Sequence, residues 1–183
     1  FVEKNQPFAL DRIVRIWRYE LSETMILDAA TCSHLELFEN NENGGRRNTL
    51  FERINRTVSP LGARRLASWL RYPLLDSDAI HDRHDRVERM MESDRERARL
   101  RGELSRVRDL ERLFSRAVRP GASPRDVGAL RGSLEALPDV CSACHEFDDS
   151  EFEKPEFVLL EPLQDLTELL AKALIDDPPV IPR

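Results

Sequence analysis

Apolar residues recur along most of this chain at intervals of three and four. Ile80, His84, Val87 and Met91 share one face of an expected helix, and Leu100, Leu104, Val107, Leu110 and Phe114 carry the same period onward. A long stripe follows at Val127, Leu130, Leu134, Leu137 and Val140. A last one runs through Leu159, Leu163, Leu166, Leu170 and Ala173 and is stopped by Pro178-Pro179. The first segment departs from this pattern. Ile13, Val14, Ile16, Trp17 and Tyr19 are β-branched or aromatic, Leu21 to Thr24 can turn, and Met25-Ile-Leu27 is a second short apolar run. Together they predict a two-stranded hairpin.

Local signals divide the helical part. Asp28 is a good N-cap for a helix over Ala29-Ala-Thr31, with Leu35 and Leu37 on its far turn. Asn40 to Arg47 reads as a polar loop, after which Asn48 can cap the next helix. Ser59-Pro60 and Ser123-Pro124 are start signals: the serine accepts from an orphan N–H, and proline at the first helical position loses no bond. Gly62 sits one turn inside, where alanine has the better propensity, so a close helix contact is expected there. Pro73 ends that helix, and Asp76 or Ser77 caps the next. Helix dominates and no βαβ alternation appears. The expected class is mainly α, an irregular multi-helix domain preceded by a short β-hairpin.

Composition narrows the function classes. The chain has 183 residues, 40% of them hydrophobic and 34% charged, enough for one core with a heavily charged surface. No apolar run approaches the roughly 20 residues of a membrane span. Three cysteines, Cys32, Cys141 and Cys144, do not make a disulfide framework, so a reducing cytoplasm is the expected setting. The net charge of −6 argues against a generic DNA binder. Charge is unevenly spread, with 19 Arg against 12 Asp and Glu between positions 44 and 119. Acids interleave with the arginines, which favours solvated helix faces over a contact surface. Basic residues are nearly all arginine, and genome composition is the simplest cause. The start at Phe1 and the stop at Arg183 suggest a piece of a longer protein.

Several constellations invite a chemical reading. Cys141-Ser-Ala-Cys144-His145 has the spacing of covalent c-type haem attachment, which would make the chain an electron carrier. The motif falls on or just past a regular helix with no obvious second axial ligand, and two small thiols on a helix are the simpler explanation. Cys32 and His34 could complete a zinc site with Cys141 and Cys144, but they lie far away in sequence and closed zinc sites usually show paired knuckles. Asp82-Arg-His84-Asp85 holds acid and imidazole, yet adjacent helical positions point apart, which favours a salt-bridged surface. The sequence contains no G-x-x-x-x-G-K-[ST] phosphate loop.

One resemblance spans nearly the whole chain. Its anchors, in order, are Met25 to Thr31, Leu35-Glu-Leu37, Gly44-Gly45, Asn48-Thr-Leu50, Arg56 to Arg64, Trp69 to Leu74, Asp109 to Arg116, Ser123 to Asp126 and Ile175 to Val180. This order and spacing resemble the start of the core domain of MutS-type DNA mismatch repair proteins. The resemblance implies that residues 1–27 end a connector domain and that 28–183 form the first part of a core, or lever, domain with long lever helices, truncated before the clamp. It implies a longer protein that is a homodimer, grips mismatched double-stranded DNA, binds ATP and Mg, and recruits a MutL-type partner. The segment itself would be a non-catalytic transducer between ATPase and clamp. No catalytic, cofactor-binding or metal-binding residue is carried over, because the family's chemistry lies in other segments. Phe1-Val-Glu3 has the letters of the family's Phe-x-Glu wedge but sits a whole domain too late. A family paralogue acting in recombination is the nearest alternative, and the hairpin favours the repair branch. The same frame leaves the leucine stripe of residues 156–175 short of its partner helix. It is expected to meet another copy, to fold back on residues 124–140, or to be poorly ordered.

Overall fold

The computed structural model describes residues 24–119, 121–147, 161–175 and 178–179, the side chains of Glu161 and Pro162 excepted. Phe1-Val-Glu3 and most of the expected hairpin lie outside these residues. Its last part, Thr24 to Leu27, forms no named strand. Thr24 makes an isolated antiparallel bridge to Leu74, and the Met25 N–H donates to the Pro73 carbonyl at 2.8 Å.

Two short helices open the described chain, α1 (Ala29–His34) and α2 (Leu50–Ile54). Asp28 caps α1 as expected, accepting from the Thr31 N–H at 2.6 Å. The connecting loop folds around buried Asn40. Its Nδ2 donates to the Arg47 carbonyl at 2.9 Å, and its Oδ1 accepts from the Asn43 N–H at 2.9 Å. Gly44 takes φ +68°, the left-handed turn that its missing Cβ permits. The cap of α2 is Thr49, not Asn48. Asn48 is itself left-handed at φ +64°, so the helix begins one residue later. Thr49 is 1% exposed; its hydroxyl accepts from the Glu52 N–H and donates to the Arg46 carbonyl.

Helix α3 (Pro60–Arg71) starts at Ser59, whose Oγ accepts from the Gly62 N–H at 3.2 Å. No second helix crowds Gly62. A Cβ there would stand 3.2 Å from Ser59 Oγ and 3.4 Å from Thr57 Cβ, so glycine makes room for the helix's own cap. Asp76 caps α4 (Ser77–Glu92), and Ser93 separates it from α5 (Asp94–Arg106). The stripe expected on α4 is only partly covered: Ile80 is half-buried, His84, Val87 and Met91 are exposed, and no residue of the helix is fully buried.

The body of the fold is α5, α6 (Leu110–Ala117), α7 (Pro124–Glu135), α8 (Leu137–His145) and α9 (Glu161–Ala173). The stripe from Val127 to Val140 is cut at Ala136. Pro138 has no N–H to give to the Leu134 carbonyl, which accepts from the Ala136 N–H instead. Leu100, Val107, Ala136, Val140 and Ala143 form one apolar cluster; Leu113, Leu130 and Leu134 form the other. Leu110 and Leu137 pack against both. Phe114, expected inside, is 56% exposed, and Leu113 takes the buried place. Residues 107–109 are not helical and reset the phase between α5 and α6.

Of the three outcomes expected for the last stripe, the structure shows the fold-back. Leu163, Leu166 and Leu170 of α9 pack on the cluster that α7 carries. Leu174 and Pro178, beyond α9, lie against the same helix. Arg131 donates to the Leu174 carbonyl at 3.2 Å, and buried Pro178 lies over Gly128, where a Cβ would come within 2.6 Å of its ring.

Two substitutions test this arrangement by urea unfolding. Leu166→Ala should cost about 1.5–3 kcal/mol, the lower part of the range for a truncated leucine, since Leu166 is half-buried. Gly128→Ala should destabilise by about 1–3 kcal/mol through overpacking against Pro178, although helix propensity alone favours alanine by up to ~1 kcal/mol.

Candidate functional site

The first segment, residues 24–74, meets the helical body at a polar joint. Arg64 of α3 grips Asp109 with both guanidinium nitrogens, Nη1 to Oδ2 at 2.7 Å and Nη2 to Oδ1 at 2.9 Å. The same Nη2 lies 2.9 Å from Glu111 Oε2. Nearby, Arg101 of α5 donates to the Arg56 carbonyl at 2.9 Å. Leu61, one turn before Arg64, packs against the first apolar cluster. A planar fork meeting a carboxylate edge-on fixes direction as well as distance, so the joint sets how α3 sits on α6.

Asp109 has a second task. Its Oδ1 also accepts the Arg112 N–H at 3.1 Å and so caps α6. That backbone bond, reinforced by Arg64 and opposed by partial burial, holds the carboxyl below its ordinary range. Further ion pairs tie the body together. Arg106 bridges Glu103 at 2.6 Å and Asp139 at 2.7 Å, Arg99 pairs with Glu146, and Arg116 meets Asp126 at 3.2 Å. The Asp139 and Glu103 bonds raise Arg106 above its already high value. Several middle-segment arginines therefore join separate elements rather than merely coat helix faces.

The constellations singled out in the sequence are not gathered into one centre. Cys141, Cys144 and His145 lie on α8. Cys141 is buried, Cys144 packs on the first cluster, and burial raises both thiols. Nothing in this placement favours haem attachment, which needs two accessible sulfurs. Cys32 and His34 lie on α1, and among the described residues no group of three His, Cys, Asp or Glu is placed to hold a metal ion. Asp82, His84 and Asp85 line exposed positions of α4. Ser77 and His81 approach each other there, but His81 Nδ1 lies 2.7 Å from the Ser77 carbonyl and donates to it in the tautomer that makes this bond. That nitrogen is then no base for the hydroxyl. Sequence reasoning missed the Arg64–Asp109 joint. Its two ends lie in the segments Arg56 to Arg64 and Asp109 to Arg116, both of which carry the resemblance.

These features define a class, a helical scaffold whose strongest polar contacts join its own segments. Comparison with known proteins gives the family. The family described as MutS domain III matches residues 30–183, and the chain belongs to it. The chain is 35% identical over 97% of its length to DNA mismatch repair protein MutS of Caldanaerobacter subterraneus subsp. tengcongensis, covering 20% of that protein. Over its full length it is 37% identical to the MutS of Methanothrix thermoacetophila, covering 22% of it. It is 43% identical over 93% of its length to that of Natronomonas pharaonis, again covering 20%. The chain thus spans about a fifth of the length of these curated relatives. Among the described residues no helix is long and apolar enough to cross a membrane.

The joint makes a pH prediction. Because the folded Asp109 carboxyl is depressed, its contribution is complete above the unfolded carboxylate value and is lost as pH falls through the folded one. Asp109→Asn keeps a capping side chain but removes the charge that Arg64 grips. Urea unfolding should show the variant weaker than wild type at neutral pH. The gap should close in strong acid, where the wild-type carboxyl is itself protonated.

Proposed function

We propose that this chain is the part of a MutS-type mismatch repair protein that relays conformational change and does no chemistry itself. The observation that carries the reading is the Arg64–Asp109–Glu111 joint inside a domain III match. Coupling between distant sites needs stiff elements held in discrete arrangements, and a forked ion pair that joins one helix to the cap of another supplies such a hold. Residues 1–27 are assigned to the end of a connector and 28–183 to the first part of the core.

The longer protein of this reading is a cytoplasmic homodimer that binds mispaired duplex DNA, uses ATP with Mg, and signals to a MutL-type partner. These activities belong to other segments. The sequence has no phosphate loop to cradle a triphosphate. Curated relatives named as mismatch repair proteins favour the repair branch over a recombination paralogue.

A chimera tests the relay. This chain replaces the matching segment of the Caldanaerobacter MutS, and ATP-triggered release from a mismatched duplex is followed by fluorescence. Arg64→Glu should leave mismatch affinity within about threefold yet slow release about tenfold or more, the scale of a lost coupling free energy. Asp109→Arg added to it should restore much of the rate. Release at the unmodified rate in the single variant would remove the joint from the relay.

A further inference from the structure

The junction of the first segment exposes a contiguous apolar patch. Hydrogen bonding of Met25 to Pro73 and the Thr24–Leu74 bridge bring two stretches together, Met25-Ile26 and Tyr72 to Leu75. Ile26 is 70% exposed, Leu75 54% and Tyr72 44%. Trp69, also exposed, lies one turn before Tyr72 on α3. Apolar side chains gathered in this way mark interaction sites more often than scattered ones do.

The patch runs into an open cleft of about 360 Å³, whose lining includes Leu27, Cys32, Phe38, Glu39, Arg71 and Tyr72. That size is near the small end of ligand pockets, and suits one large anchoring side chain better than a cofactor. Guanidinium groups frame it. Arg71 lies over the Phe38 ring at 4.9 Å, while Arg83 and Arg65 stand over Trp69 at 4.1 and 5.7 Å. Stacking on a ring fixes a guanidinium but leaves its N–H edge available to an anion. Among the described residues none of the three meets a carboxylate, Glu39 included.

We propose that this cleft and patch dock a segment of a partner protein that presents a large apolar side chain beside a carboxylate. The apolar group fills the cleft against Leu27, Phe38 and Tyr72, and the acid takes the free edge of Arg71. Charge complementarity selects an acidic partner, and the apolar rim selects protein over nucleic acid. The inference goes beyond the relay role and stands without it.

The test screens the whole chain against a displayed library of random peptides, each about twelve residues long. Recovered peptides are then measured by titration calorimetry. They should carry a large apolar residue next to Asp or Glu. Arg71→Glu should weaken them at least tenfold, and exchanging the peptide's acid for Lys should recover binding to that variant. Leu75→Asp, at a side chain already in water, should also weaken them; it decides the matter alone if Arg71→Glu does not fold. Arg95→Glu, on exposed α5 surface, should change nothing. Binders without an acid, or binding that survives both variants, would overturn the proposal. So would an activity of the patch in self-association or duplex DNA binding, lost in the same variants, with no peptide recovered.

Discussion

Helices α7 and α8 form one interrupted axis on which both apolar clusters are threaded. Leu130 and Leu134 belong to one cluster, and Ala136, Val140 and Ala143 to the other. The break that Pro138 imposes turns the helix between them without leaving a gap. Ser133, 1% exposed, sits beside that break. Its hydroxyl donates to the Ala129 carbonyl at 2.9 Å and accepts the Arg108 N–H at 3.2 Å, which pins the non-helical turn between α5 and α6 to the axis. A buried hydroxyl that satisfies a turn in this way is costly to replace, since its loss orphans a backbone donor. Each other body helix is positioned by what it lays on this axis: α5 and α6 through the turn, α9 through its leucines.

Arginine is used here in three physically different ways. It pairs with carboxylates, forked at Asp109 and through one nitrogen at Asp139, reaches backbone carbonyls at Arg56 and Leu174, and lies flat on Phe38 and Trp69. Lysine, a strongly hydrated point charge, does the first loosely and the last poorly. Whatever the source of the arginine-rich composition, the fold puts the guanidinium's shape to use. Arg97 combines the first two, pairing with Asp94 and donating to the Met90 and Met91 carbonyls where α4 gives way to α5.

Legibility in the sequence followed the range of the forces involved. Start signals at Asp28, Ser59-Pro60, Asp76 and Ser123-Pro124 were readable because a cap is settled within three or four residues. Asn48 failed by one position because its own left-handed backbone, dictated by the loop, was not visible in residue type. Phe114 failed because counting in steps of three and four runs on through Val107 to Asp109, where the chain leaves the helix and loses phase. On α4 the period correctly grouped Val87 with Met91, but a shared face says nothing about whether anything covers it. Least legible was the joint, a pairing across forty-five positions. Its acid and base are each ordinary in isolation, and only the family resemblance placed both ends in segments worth watching.

Two contacts that α3 makes, at Arg64 and at Trp69, differ in kind, and that difference makes ionic strength a selective reagent. Arg64 and Asp109 meet near the surface, where dissolved ions weaken attraction between charges, the screening length falling to about 3 Å at 1 M salt. Trp69 holds Arg83 of α4 through a ring face and dispersion, contacts that electrolyte weakens far less. Raising salt therefore loosens the seam toward α6 while leaving the seam toward α4 closed. The two contacts therefore answer differently to added electrolyte, while Leu61 keeps α3 seated on the first apolar cluster throughout.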